Sequence, residues 1–428
     1  MISPLQERPV VVTGMGVASP IGVGLAAFRE GLQSGRSGTG PITQFDASDL
    51  PCRVAGEVLD PLPSLEDLIE KKVLRVMSRT TRLALVAGRE ALVHAGLIST
   101  GANESAVADS LGVWIGTGGG GVGWAEEQYG IYFQEGWRRT SPHGIVAALP
   151  GMLSSDLSAA FGAHGPSHVL STGCTSSSDA IAYAALAVAM GWCDRALAGG
   201  AEAPLTHGIV SNFCRMKAVS TAWNDQPAAA SRPYDLRRDG FVPGEGAWFV
   251  VIEPADLAAQ RGARALARLK GYASTCDAHH RTRNHPSGAE TARAIRTALE
   301  SAGVLPGAVG YVNLHGSATP LNDRIESLAM HAVFGEAAHR IPMSALKSQI
   351  GHPQGASGAA GLVATILGMH GSFIPPTINC DEPDPDCNLD VVPHRARPHQ
   401  FEVAVVNAIS FGSKNSVLVV TAPDGSTR

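Results

Sequence analysis

Long apolar runs are missing from this chain. The longest largely apolar stretch, Ala180 to Cys193, is too short to cross a bilayer and reads as a buried helix. The N-terminus, Met1 to Pro9, mixes acidic and basic residues ahead of an apolar strand. It lacks the basic segment and apolar core of a secretory signal, so a cytoplasmic location without membrane attachment is expected. Blocks of one charge are also missing. The 33 Lys and Arg stand against 38 Asp and Glu, a net charge of −5, which argues against nucleic acid as a partner. Seven cysteines (Cys52, Cys174, Cys193, Cys214, Cys276, Cys380 and Cys387) form an odd set without CxxC spacing, against both a disulfide framework and a structural zinc site. Small-molecule chemistry is the class that remains.

What the chain does have is apolar material for a large core, 44% of its 428 residues. Its 49 Gly and 27 Pro are spread along the whole length, as many tight turns and no linker. Short apolar strands (Val10 to Thr13, Leu111 to Gly116, His168 to Leu170, Arg195 to Gly199, Ala247 to Ile252) alternate with Ala-rich helical patterns at Thr81 to Ala95 and Ser178 to Met190. A second series follows, with strands near 265–274, 310–313, 341–344, 403–407 and 417–421 and helices near 290–302, 324–334 and 358–370. This predicts a layered α/β fold of two similar halves, 1–260 and 261–428. Sites in such folds lie beyond the carboxyl ends of strands.

Three strand ends carry reactive groups. Ser171-Thr172-Gly173-Cys174-Thr175-Ser176 lies between a strand and an Ala-rich helix, and a thiol at a helix N-terminus is expected to have a lowered pKa and to act as a nucleophile. Asn313-Leu314-His315-Gly316-Ser317-Ala318-Thr319 offers one histidine. Lys347-Ser348-Gln349-Ile350-Gly351-His352 offers another, with a lysine. A thiolate can be acylated, but carbon–carbon bond formation needs a carbanion, which decarboxylation of a malonyl thioester supplies if donors stabilise the enolate oxygen. Two Gly-rich segments are read as tight turns. Gly116 to Gly121 matches GxGxxG, but no acidic strand end follows for a ribose; Gly14-Met15-Gly16 lacks the third glycine. Cys276, Asp277, His279, His280 and His285 are spaced too irregularly for a metal site, and none is expected.

With these segments in place the chain resembles the β-ketoacyl-acyl carrier protein synthases, condensing enzymes of the thiolase fold. The likeness extends to Val11-Val12-Thr13-Gly14-Met15-Gly16, Ala230-Ser231-Arg232-Pro233-Tyr234-Asp235, Arg238-Asp239-Gly240-Phe241 and Asp277-Ala278-His279-His280, in family order over the full chain. The resemblance implies that Cys174 accepts an acyl group from the phosphopantetheine of an acyl carrier protein, with the amides of Cys174 and Phe411 as oxyanion hole. It implies that His315 and His352 promote malonyl decarboxylation, and that Lys347, paired with Glu326, sets the electrostatics. Ser317 and Thr319 would bond the pantetheine arm, Phe411 would gate the pocket, Gly119 and Trp124 would line the acyl pocket, and Lys71, Lys72, Arg75 and Lys217 would dock the carrier protein. No cofactor is implied beyond the carrier-borne phosphopantetheine. A homodimer, or a heterodimer with a chain-length-factor-like subunit, is expected.

Two departures from the family pattern stand out. The usual Gly-Phe-Gly-Gly-Thr-Asn gate is Ser410-Phe411-Gly412-Ser413-Lys414-Asn415 here, which exchanges two flexible glycines for serines. Gly173 before the cysteine, where fatty-acid enzymes usually have Ala, resembles ketosynthase subunits of type II polyketide synthases, as does Asn322-Asp323-Arg324; Thr319-Pro320 resembles the fatty-acid type. A coenzyme A-dependent thiolase-like acyltransferase would bring a second cysteine near the C-terminus, and Asn407 to Asn415 has none. A non-catalytic chain-length partner would not need Cys174 with both histidines.

Overall fold

The computed structural model describes residues 3–99 and 110–423. Among the described residues the main sheet has eleven strands, ten of them along its path: β1 (Val10–Ser19), β2 (Leu111–Gly116), β3 (Ser167–Leu170), β4 (Arg195–Glu202), β5 (Gly246–Pro254), β6 (Ala267–Cys276), β7 (Tyr311–Asn313), β8 (Met343–Ser344), β9 (Val403–Ser410) and β10 (Lys414–Thr421). The short strand Gly22–Val23 pairs with β1. The spatial order is β3-β2-β4-β5-β1-β6-β10-β9-β7-β8. The first five strands therefore run 3-2-4-5-1 from their edge, and the last five repeat that order from theirs. In both sets the three outer strands are parallel and the inner two antiparallel. The sets meet where Val10–Val12 of β1 pair antiparallel with Leu269–Ala267 of β6.

Helices cover both faces of the central strands. Residues of α1 (Arg79–His94) pack on β1, β4 and β5, while α4 (Ala289–Ala302) packs on β6 and β10 and carries α5 (Pro320–Phe334) outside it. Between the two sets of strands lie α3 (Ser176–Ala189) and α6 (Ser357–Gly371), each touching strands from both. Burial on both faces explains the continuous apolar runs: all ten residues of β1 and all nine of β5 are buried. It explains also why α3 and α6 are buried on nearly all sides and built of small and apolar residues beyond their first turns.

Gly14 and Gly16 are not a turn, contrary to expectation, but lie inside β1. A Cβ on Gly16 would sit 2.0 Å from the Ala87 carbonyl oxygen of α1, so helix and strand backbones lie too close for any side chain. The same constraint governs the central layer, where a Cβ on Gly358 would meet Ser178 Oγ at 1.9 Å and the Ser178 amide nitrogen at 2.8 Å. Gly358→Ala is expected to destabilise the fold by about 1–3 kcal/mol through overpacking and to lower activity by parting α3 from α6. Chemical denaturation beside a rate assay checks this; unchanged midpoint and rate would show that the layer yields.

Candidate active site

Four strand ends deliver side chains to one cavity of about 360 Å³, lined among others by Cys174, Lys217, Phe241, Ser317, His315, Thr319, His352, Ser410 and Phe411. Cys174 follows β3 within a 3-10 turn, Gly173–Thr175, that leads into α3. His315 follows β7, Lys347 and His352 follow β8 and precede α6, and Phe411 follows β9. The His315 and His352 rings stand 5.4 Å apart, edge to face at 79°. Phe241 packs edge-on against His352 at 5.2 Å and lies 6.4 Å from Phe411, which forms the exposed wall of the cavity.

Both histidines are held as neutral donors. The backbone amide of Gln354 donates to His352 Nδ1 at 3.1 Å, with Ser357 Oγ at 3.3 Å from the same atom. The Lys347 ammonium lies 3.3 Å from His315 Nδ1 and donates to the His315 carbonyl at 2.6 Å. With Nδ1 accepting, the ring proton sits on Nε2 in each case. Burial drives both imidazoles well below their ordinary pKa, and the Lys347 charge, with His352 in the case of His315, adds to the shift. Burial also lowers Lys347 to about 8, against the pull of Cys174, Glu326 and Asp323.

Two expectations need correction. Burial pushes the Cys174 thiol up to about 11, outweighing the lowering by Lys347, the Phe411 amide and the Ser410 hydroxyl. Desolvation exceeds the helix-end effect because Cys174 is only 4% exposed, so the resting group is a thiol. Nor does Lys347 pair directly with Glu326. Glu326, 0% exposed, accepts from the amides of His315 (2.7 Å) and Gly316 (2.8 Å), from the Tyr234 hydroxyl (2.7 Å) and from Asn407 Nδ2 (2.6 Å). Lys347 feels it as a field while bonding His315.

The other expected residues are dispersed. Ser317 and Thr319 share a hydrogen bond at 2.9 Å on the cavity wall, and Thr319 also caps α5. Gly119 lines a second cavity of about 280 Å³ with Glu202, Ile209, Phe213 and Gln354. A Cβ there would make only ordinary contacts, the nearest at 3.4 Å to Val122, so packing does not require the glycine. Trp124, in α2 (Val122–Glu135), lines a separate pocket with Arg79 and Thr206. Lys217 stands at the catalytic cavity, whereas the exposed Lys71 and Lys72 pair with Glu66 and Glu70, and Arg75 caps their short helix.

Several residues with work at the site carried no role in the sequence reading. Tyr234, Asp323 and Arg238 form a buried cluster behind Glu326, with the Tyr234 amide donating to Asp323 and the Arg238 guanidinium 3.7 Å from that carboxylate. The segments around 230–241 were visible as family matches without a mechanism. Glu202 binds the Gly-rich turn: it accepts from the amides of Gly118, Gly119 and Gly355 and from Thr117 Oγ1. Those amides are the donors a nucleotide phosphate would otherwise use. Asp277 accepts from the His285 amide and from Asn415, and among the described residues no group of three or more His, Cys, Asp or Glu is placed to hold a metal. No helix among the described residues is long and apolar enough to cross a membrane.

Cys174, His315 and His352 thus line one cavity, and comparison with known proteins gives the family. Residues 7–258 match the family model of the beta-ketoacyl synthase N-terminal domain and residues 266–381 that of the C-terminal domain. The chain is 40% identical over 414 residues to the 3-oxoacyl-[acyl-carrier-protein] synthase 2 of Synechocystis sp., covering 97% of this chain and 98% of that protein. Two solved structures are similar across 97% of the chain. One is the ishigamide ketosynthase/chain length factor (TM-score 0.88, 33% identity, 99% of that chain). The other is a type II polyketide synthase acyl-carrier protein in complex with its ketosynthase bound to the hexaketide (TM-score 0.86, 31% identity, 100% of that chain). The chain belongs to the β-ketoacyl synthase family, has the thiolase-like fold, and is an acyltransferase of the ketosynthase class.

Tyr234→Phe removes one of the four donors to Glu326. It is expected to lower the condensation rate about tenfold and stability by about 1–2 kcal/mol, read by steady-state kinetics and denaturant titration. A wild-type rate would show that the phenol is dispensable.

Proposed function

We propose that the enzyme joins an acyl group held on Cys174 to malonyl-acyl carrier protein, with loss of carbon dioxide, to give a β-ketoacyl-acyl carrier protein. The observation that carries this reading is the pair of buried imidazoles, each with Nδ1 occupied and Nε2–H left for the cavity.

In the first half-reaction the Cys174 sulfur attacks the acyl thioester. The Sγ–acyl bond forms, the bond to the phosphopantetheine sulfur breaks, and the leaving thiolate takes up the proton lost by Cys174. The amides of Cys174 and Phe411 hold the oxyanion, and the Lys347 charge favours the transient thiolate. In the second, the malonyl carbon–carboxylate bond breaks and its electrons enter an enolate whose oxygen accepts from His315 and His352. The enolate carbon attacks the acyl carbon, the electrons of the Sγ–acyl bond return to sulfur, and the released thiolate takes up a proton from solvent to restore the thiol. Donors fixed in advance in a water-poor pocket suit this chemistry better than a strong base. Glu326 fixes the His315 backbone, Ser317 and Thr319 bind the pantetheine arm, Phe411 gates the entrance, and Gly119 leaves room for the acyl chain. Trp124 we assign to the packing around its own pocket.

The halves 1–260 and 261–428 contribute the nucleophile and the two donors respectively, a division that the repeated strand order supports. No cofactor enters beyond phosphopantetheine. An acyl carrier protein is the delivery partner, met by Lys217 at the cavity and, farther out, by Lys71, Lys72 and Arg75. The assembly is a dimer, with itself or with a chain-length-factor-like subunit, and works in the cytoplasm. The glycine before Cys174 and Asn322-Asp323-Arg324 support polyketide elongation over fatty-acid elongation. The presence of all three reacting groups separates the chain from a non-catalytic partner subunit, and the lack of a C-terminal cysteine separates it from a thiolase.

Cys174→Ala is expected to abolish acyl loading, seen as a missing mass shift on the intact protein, while malonyl decarboxylation persists. His315→Ala and His352→Ala are each expected to keep loading and to lose decarboxylation by about a hundredfold, the scale of an oxyanion donor. Full condensation by any of the three would overturn the assigned roles.

A further inference from the structure

The oxyanion site required by that reading is already occupied. The Cys174 amide donates to Ser410 Oγ at 2.9 Å, and the same hydroxyl donates to the Phe411 carbonyl at 3.0 Å. Ser410 is 3% exposed, so no water competes for the contact. Its oxygen fills the space beside Gly173 that a side chain would take: a Cβ on Gly173 would lie 2.1 Å from Ser410 Oγ. The turn carrying Ser410 is fastened at its other end as well. Ser413, at φ +61, has its hydroxyl 3.0 Å from the carbonyls of both His280 and Arg283, and its own carbonyl accepts from the Asp277 amide at 2.7 Å.

We propose that Ser410 is a positioning residue whose side-chain oxygen stands in the resting enzyme where the thioester oxyanion must go. A water in that position would exchange freely, but a hydroxyl tethered to the gate turn leaves only when the side chain or the turn moves. Acylation of Cys174 is thereby coupled to displacement of the Ser410–Ser413 turn. The hydroxyl obstructs attack on a carbonyl, which needs the amide, and leaves attack on a reagent that needs no oxyanion donor unaffected.

This inference rests on the condensing reading, and one experiment separates the two. Full-length wild type, Ser410→Ala and Ser410→Gly, with a partner subunit if the wild type requires one, are each exposed to octanoyl-acyl carrier protein and, separately, to iodoacetamide. Time-resolved intact mass spectrometry follows both. Ser410→Ala is expected to load octanoyl about three- to tenfold faster, the range set by one net hydrogen bond, and to alkylate at the wild-type rate. Ser410→Gly, which lacks the hydroxyl too, is expected to load faster and covers the case in which the alanine variant does not fold. A general loosening of the site would move both rates the same way. Acyl loading unchanged or slowed in the variants, or both reactions accelerated in Ser410→Ala, would overturn the proposal while leaving the condensing reading intact. A wild type that alkylates at Cys174 but takes no acyl group would overturn both.

Discussion

A carboxylate with no access to water organises the site. Glu326 accepts four hydrogen bonds, from two backbone amides after β7, from Tyr234 and from Asn407 of β9. Segments far apart in sequence are thus drawn to one point, and the His315 backbone is fixed before any substrate arrives. Leaving any of these donors unpaired in so dry an environment would cost about 1–3 kcal/mol, which makes the arrangement hard to deform. His315 in turn anchors Lys347 through its carbonyl, and Lys347 sets the potential that both imidazoles and the thiol feel. Preorganisation here is a chain of contacts beginning at one acid.

Desolvation is the second common cause. The thiol rises to about 11, the lysine falls to about 8 and both imidazoles fall well below their usual range, in every case chiefly because burial disfavours the charged form. The consequence is a site with few standing charges, able to respond to charge that develops on the thioester and malonyl oxygens. The glycines and small residues of the central layer make such burial possible, since α3 and α6 must pack close enough to exclude water between the strand sets that carry Cys174 and the histidines.

Much of this was legible in the sequence. The alternation of short apolar strands with Ala-rich helices marks the layered fold, and Cys174, His315 and His352 stand out because each sits in a Gly/Ser/Thr turn directly after a strand. The misreadings have physical causes. Gly14 and Gly16 look like a turn because sequence shows flexibility and not the helix backbone pressed against the strand. Helix position, which is local information, points to an acidic Cys174, while the burial that opposes it depends on residues hundreds of positions away. Lys347 and Glu326 have opposite charges and adjacent roles, yet the competing donors from Tyr234 and Asn407 are invisible before folding. Ser410 showed only as a departure from the family gate; its contact with the Cys174 amide spans 236 positions.

The central claim is that two neutral imidazoles present Nε2–H to the cavity. Nitrogen-15 NMR of the histidine-labelled protein at neutral pH, with His315 and His352 assigned by single substitution, tests it directly. The account requires a protonated Nε2 and an unprotonated Nδ1 on both rings. An imidazolium, or a proton on Nδ1 of either, would contradict it.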